Sequence, residues 1–136
     1  MSNTYSISFK VRDYECDSEG IVNNANYLHY FEMARNEHLE HLGFDYQKLV
    51  DEGVNIVLRR AEVDYIAPLK GREDITVTCS VERVSPLRIV CHQEIIRNSD
   101  GKTVAKGKMT ATCINREGRP LAHPILDNIA EYKPEH

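Results

Sequence analysis

A short acidic loop ahead of a helix is the part of this chain best suited to chemistry. The loop reads Asp17-Ser18-Glu19-Gly20, and it is followed by polar residues that can cap a helix, Asn23, Asn24 and Asn26. The first N–H groups of a helix have no partner within the helix and, together with the helix dipole, attract negative charge. A carboxylate at Asp17 facing such donors could therefore carry out acyl chemistry.

The helix that must position this loop is predicted to run from the asparagines to Leu42, with Gly43 as its stop signal. At about 100° per residue, one side of this helix is largely apolar and the other is polar. The apolar side holds Tyr27, Tyr30, Phe31, Ala34, His38 and Leu42, and the polar side holds His29, Glu32, Asn36 and Glu40. We therefore expect a core helix with one exposed side.

Five strands are predicted around this helix from alternating apolar and polar residues. They run over Tyr5–Val11, Ile56–Ile66, Ile75–Val84, Leu87–Arg97 and Thr103–Asn115. We expect a bulge near Arg59 and Arg60, a hairpin turn over residues 98–101, and small side chains in the last strand that let the helix approach closely. The segment 44–55 is expected to be irregular or one helical turn, and the tail after Pro124 to add a further turn of helix.

Strand and helix lengths predict the architecture. Ten residues of strand reach about 33 Å, whereas a helix of about 17 residues reaches about 25 Å. The strands must curl, which predicts an α+β fold in which a long curved antiparallel five-stranded sheet wraps one central helix. An open sheet edge and an apolar outer face, marked by Val90 and Ile96, predict partner subunits.

Length and composition bound the class of protein. With 136 residues, of which 41% are hydrophobic and 28% charged, residues 1–136 are expected to form a single domain. The chain has no membrane-spanning apolar run and begins without a secretory signal, so a cytoplasmic location is expected. Its net charge of −4 comes from intermixed signs, which argues against nucleic-acid binding. The spacing of its cysteines and histidines fits no metal motif.

The combined motif resembles a known family over nearly the whole chain. The matching positions are Asp17, Gly20, Val22, Asn24, Tyr27, Glu32, Ala34 and Arg35, followed by the step from Tyr65 to Pro68. This pattern is similar to that of the hotdog-fold acyl-CoA thioesterases of the 4-hydroxybenzoyl-CoA thioesterase type. The resemblance implies a hotdog fold and hydrolysis of an acyl-CoA to a free acid and CoA, without a metal or redox cofactor.

The resemblance also implies roles for individual residues. Asp17 would be the catalytic carboxylate, acting as nucleophile or general base, and the backbone N–H of Asn24 would polarise the thioester carbonyl. Subunits would pair by joining their sheets, as a homodimer or a dimer of dimers, with the active site between them. From the residues alone, Asp17 could instead close an Asx turn or cap the helix.

Further residues are candidates for holding the substrate. Tyr27 is either a core aromatic residue or a hydroxyl that holds Asp17 or the acyl group. The loop positions Gly20, Ile21 and Val22 are expected to line the substrate. For CoA, Arg59 and Arg88 are candidates, beside the other basic residues Arg60, Arg83, Lys102 and Lys106.

Two other functions remain open on the same fold. One is a non-catalytic acyl-CoA-binding or scaffold protein, since a fold does not fix a function. The other is a hotdog hydratase or dehydratase, which would place a histidine beside the acid, and none of the six histidines stands at a motif position. The sequence does not identify the acyl chain of the substrate. CoA and acyl carrier protein both remain open as the thiol carrier.

Overall fold

The computed structural model describes residues 4–124 and residue 126. The elements are β1 (Tyr5–Lys10), a 3-10 turn (Asp13–Glu15), α1 (Asn24–His41), α2 (Tyr46–Asp51), β2 (Asn55–Tyr65), β3 (Asp74–Ser85), β4 (Arg88–Arg97) and β5 (Lys102–Ile114). Every predicted strand is present, and no predicted strand end differs from the observed end by more than one residue. The helical turn predicted after Pro124 lies outside the described residues, apart from Leu126.

The five strands form one antiparallel sheet in the order β1-β3-β4-β5-β2. This order leaves β1 and β2 as the two edges. The predicted bulge is confirmed, since the register of β2 against β5 shifts between Leu58 and Arg60. Within the part of the chain that the structure describes, no helix is both long and apolar enough to cross a membrane.

The long helix α1 packs its apolar side on the sheet. Its buried residues are Tyr27, Tyr30, Phe31, Ala34 and His38, as the helical period predicts. Leu42 was expected with them, and this is wrong, because Leu42 is the C-cap and is 39% exposed. The helical period no longer applies once the backbone leaves the helix. The α+β fold with one central helix is confirmed.

Small residues in β5 allow the helix and sheet to approach closely. A Cβ atom placed on Gly107 would lie 3.1 Å from the ring of Phe31 and 2.9 Å from the end of Met109. Both distances are shorter than comfortable carbon contacts, so Phe31 occupies the space that a side chain at position 107 would need. The expectation drawn from the small side chains of the last strand is confirmed.

The outer face of the sheet is more polar than expected. Val90 is only 3% exposed, so the chain itself already covers one of the two residues taken to mark an apolar face. The positions that alternate with the buried residues of β3 are Thr76, Thr78 and Ser80, all partly exposed. Exposed apolar side chains lie instead near the β2 edge, where Leu58 and Tyr65 are each 47% exposed.

Candidate active site

The acidic loop is a tight hairpin that leads directly into α1. Cys16 and Val22 form an antiparallel bridge, and the N–H of Asp17 donates to the carbonyl oxygen of Ile21 over 2.8 Å. The turn closes through the N–H of Gly20, which donates to the carbonyl of Asp17 over 3.0 Å. Gly20 has a φ of +80°, a conformation that glycine adopts at little cost. Asp17 therefore stands at the base of a hairpin whose other strand becomes the helix cap.

One oxygen of the Asp17 carboxylate is held by the loop itself. Oδ1 accepts hydrogen bonds from the N–H groups of Glu19 at 2.8 Å and Ile21 at 3.4 Å. The Asx turn suggested by the sequence is therefore present. Oδ2 has no hydrogen-bond partner among the described residues, and the side chain is exposed to solvent. The turn therefore fixes one oxygen of the carboxylate, and the other takes no part in it.

In the part of the chain that the structure describes, one N–H group in the first turn of α1 has no hydrogen-bond partner. Asn23 is the N-cap, and its side chain accepts from the N–H of Ala25 over 2.9 Å. Its carbonyl accepts from the N–H of Asn26 over 2.9 Å, and its own N–H donates to the carbonyl of Glu15 over 3.1 Å. The N–H of Asn24, in contrast, has no partner within residues 4–124 and 126. This group is available to a ligand at the positive end of the helix dipole.

Tyr27 is buried and its hydroxyl already has a partner. The side chain is 3% exposed, and its hydroxyl donates to the carbonyl of Ala67 over 3.4 Å. Burial raises the pKa of Tyr27, so the phenol stays protonated at neutral pH. Among the described contacts it makes no hydrogen bond to Asp17. These contacts fit the core-aromatic interpretation, with the hydroxyl holding the segment after β2 against the helix.

The segment after β2 also holds the acidic loop. Ile21 forms an antiparallel bridge with Lys70, and the N–H of Val22 donates to the carbonyl of Leu69 over 2.8 Å. Val22 is 3% exposed and belongs to the core, whereas Ile21 is half-buried. The structure thus brings six predicted site residues to one end of the sheet. They are Asp17, Gly20, Ile21, Val22, Asn24 and Tyr27.

The two predicted arginines lie elsewhere in the same chain. Arg59 sits in the bulge of β2, six residues before Tyr65, a span of about 20 Å along a strand. Arg88 begins β4, nine residues before Arg97, whose guanidinium donates to the carbonyl of Pro68 over 3.1 Å. That span is about 30 Å. A single chain therefore does not bring Arg59 or Arg88 to Asp17.

A cavity of about 140 Å³ lies between the second half of α1 and the sheet. The sheet contributes apolar side chains to it, including Ile56, Leu58, Val81, Ile89 and Ala111. The helices contribute Arg35 and Tyr46 among others, and the Arg35 guanidinium donates to the Gln93 side chain over 3.1 Å. Within residues 4–124 and 126, no three His, Cys, Asp or Glu side chains group so as to hold a metal ion.

Two residues near the loop, Asn26 and Tyr65, make contacts that the sequence did not predict. The Asn26 side chain donates to the carbonyl of Glu15 over 2.8 Å, and the Tyr65 hydroxyl donates to the carbonyl of Asn24 over 3.2 Å. Asn26 stands at the third helical position, where side chains often reach back beyond the helix start. That signal suggests a backward contact but does not identify its partner.

The fold and the acidic loop define the class of protein. Five antiparallel strands around one long helix form a hotdog fold. Residues 11–134 match the model of the thioesterase-like superfamily. The chain belongs to this family.

Named relatives of the chain act on different thiol carriers. It is 27% identical over 124 residues to the acyl-acyl carrier protein thioesterase ATL3 of Arabidopsis thaliana, covering 91% of this chain and 65% of the plant protein. It is 29% identical to the acyl-CoA thioesterase YbgC of Haemophilus influenzae, covering 91% of each chain. It also resembles the DHNA-CoA thioesterase structure from Staphylococcus aureus, with 27% identity, a TM-score of 0.80 and coverage of 88% and 80%.

Proposed function

We propose that this protein hydrolyses an acyl thioester to a free acid and a thiol. The observation that carries the proposal is the N–H of Asn24, which has no partner among the described residues and lies at the start of α1, two residues after the hairpin that holds Asp17. A carboxylate and a helix N-terminal donor together suit attack on a carbonyl group. The names of relatives with similar sequences support thioesters as the substrate class.

In this proposal, Asp17 and the Asn24 N–H act on the same thioester carbonyl group. The free Oδ2 of Asp17 either attacks the thioester carbonyl or takes a proton from the water that attacks it. The carbonyl oxygen gains negative charge, which the Asn24 N–H stabilises. Collapse of this intermediate breaks the C–S bond and releases the thiolate, which in the general-base route takes the proton back from Asp17. If Asp17 is the nucleophile, water then hydrolyses the acyl anhydride and restores the carboxylate.

We propose that the acyl group extends along α1 into the cavity beside Arg35. The residues of α1 that line the cavity run from Glu32 to Leu39, which places it roughly 12 to 22 Å beyond Asn24 at 1.5 Å per residue. An acyl chain of medium length would reach the near end of this cavity, and a longer chain would extend further into it. The apolar side chains of the sheet would bury its end, and burial of each CH₂ contributes about 0.8 kcal/mol.

The phosphates of CoA need cations that the acidic loop does not offer. Residues 12–20 hold four acidic side chains and one arginine. We propose that Arg59 and Arg88 come from a second copy of the chain, joined along the exposed edge strand β2. In such an antiparallel pair, the Arg59 end of one β2 lies beside the Tyr65 end of the other. Tyr65 contacts Asn24, so Arg59 would approach the neighbouring site.

The experiment that tests this function is thiol release from a panel of thioesters. The panel holds short, long and aromatic acyl-CoAs and the same acyl groups on acyl carrier protein. We expect turnover of CoA esters, with medium-length chains preferred over the shortest. A protein that binds these esters without releasing thiol from any of them would contradict hydrolysis and favour a binding function.

A further inference from the structure

We propose that Asn26 is a positioning residue that fixes the acidic loop relative to the first turn of α1. This inference rests on the proposed thioester hydrolysis. The Asn26 side-chain amide donates to the carbonyl oxygen of Glu15 over 2.8 Å, in a partly buried position. Glu15 lies two residues before Asp17, and Asn26 lies two residues after Asn24. The bond therefore joins the segment that carries the carboxylate to the segment that carries the oxyanion donor.

The carbonyl oxygen of Glu15 accepts two hydrogen bonds from residues at the start of α1. Besides the Asn26 amide, it accepts the N–H of the N-cap residue Asn23 over 3.1 Å. The Glu15 carboxylate is used locally, because it accepts the N–H of Arg12 over 2.8 Å and closes the 3-10 turn. The turn is thus fixed at both ends, and its carbonyl is a firm anchor for the helix.

The position of Asn26 in the helix explains why its side chain bonds to Glu15 and not to the N-cap residue. In a capping box, the third helical residue reaches back to the N–H of the N-cap residue. Here that N–H already donates to Glu15, so the side chain of Asn26 extends to the same carbonyl. The Asn26 side chain therefore helps to set the distance between the segment that carries Asp17 and the first turn of α1. Without the Asn26 side chain, the two segments remain joined by the intervening backbone through Val22 and by the hydrogen bond from the Asn23 N–H to Glu15.

Loss of this link is expected to reduce turnover more than binding. Thioester hydrolysis needs the Asp17 carboxylate and the Asn24 N–H at fixed positions on either side of one carbonyl group. A displacement of about 1 Å can cost on the order of 100-fold in rate. The acyl cavity lies away from Asn26, and the Asn26 amide is bonded to Glu15 rather than placed to hold substrate, so substrate affinity should change little.

The first test compares Asn26→Ala with wild type in thiol release from an acyl-CoA that wild type turns over. We expect kcat to fall roughly 10- to 100-fold, with KM within about twofold. The matched control is Asn115→Ala, whose side chain accepts the N–H groups of Glu117 and Arg119 in a distant turn. The control should lose comparable thermal stability and keep its kcat. A kcat for Asn26→Ala equal to that of the control would overturn the proposal.

A double-variant cycle separates positioning from general stability. If Asn26 acts through Asp17, then Asn26→Ala should lower kcat little further in an Asp17→Asn background, because the group it positions is already inactive. A merely structural role would give the same fold-loss in both backgrounds and would contradict the inference. Wild-type protein without turnover would refute the proposed function itself. Active wild type with unchanged Asn26→Ala would refute only the inference.

Asn26→Asp supplies a second variant that favours folding. An acidic residue in the first turn suits the helix dipole, so the helix should form normally. The ionised carboxylate cannot donate to Glu15, but a protonated one can. The ratio of its kcat to that of wild type should therefore rise as pH falls. A ratio that stays near one at every pH would contradict the proposed role.

Discussion

The hydroxyl of Tyr65 donates a hydrogen bond of 3.2 Å to the carbonyl oxygen of Asn24, joining the end of an edge strand to the first turn of the central helix. The ring of Tyr65 also packs edge-on against Tyr27, with centroids 5.2 Å apart. Asn24 is thus held through its carbonyl, while its N–H has no partner in the described part of the chain. This arrangement presents a fixed hydrogen-bond donor to whatever lies beside the acidic loop.

The proposed role of the Asn24 N–H predicts different kcat values for two substitutions of this residue. Proline is favoured at the first helical position and lacks an N–H group, and Asn23 has φ −62° and ψ 138°, which suits a residue before proline. Asn24→Pro should therefore fold with a similar melting temperature while kcat falls roughly 100-fold or more. Asn24→Ala keeps the N–H and should stay within a few-fold of wild type. Equal kcat values for the two variants would contradict the oxyanion role.

The acyl cavity predicts a change in chain-length preference. Ala111 lines the cavity from β5 and is half-buried, so Ala111→Leu should fill space that the end of an acyl chain would occupy. We expect kcat/KM to fall for medium and long acyl-CoAs and to change little for the shortest. Activity across the panel is the measurement, and the short esters are the internal control. A uniform loss at all lengths would place the acyl chain elsewhere.

A site shared between two copies predicts complementation. Asp17→Asn and Arg59→Ala should each be weakly active at low acyl-CoA concentration. If Arg59 serves the neighbouring site, mixed dimers contain one site with both residues intact. Unfolding and refolding an equal mixture should then recover about a quarter of wild-type activity. No gain over the separate variants, in a mixture shown to contain mixed dimers, would argue against a contribution of Arg59 across the interface.

Much of the fold could be predicted because burial follows short sequence periods. The alternation of Ile75, Val77, Cys79 and Val81 gave a strand, and all four side chains are buried. The helical period of α1 likewise gave its buried side. The prediction failed at Leu42, beyond the last helical residue, and at Val90, because neighbours from other strands decide which face of β4 is covered. Neither effect is local in sequence.

The candidate site was predictable in part for the same reason. Asp17, Gly20 and Asn24 lie within one short segment, so a local motif could indicate them together. The bonds from Asn26 to Glu15 and from Tyr65 to Asn24 join residues 11 and 41 positions apart. Their partners depend on how the hairpin and the edge strand fold back. Arg59 and Arg88 were chosen as candidates for binding CoA only because of their positive charge. Charge does not indicate at which end of the sheet a residue lies.

The most direct test of the proposed role of Asp17 is thiol release by wild type, Asp17→Asn and Glu19→Gln with the same acyl-CoA. Glu19 is exposed in the same loop, so Glu19→Gln removes an equal charge without touching the proposed catalytic group. If the Asp17 carboxylate performs the hydrolysis, Asp17→Asn lowers kcat roughly 100-fold or more, while Glu19→Gln stays near wild type and all three proteins melt at similar temperatures. Full turnover by Asp17→Asn would contradict the central claim that this carboxylate performs the hydrolysis.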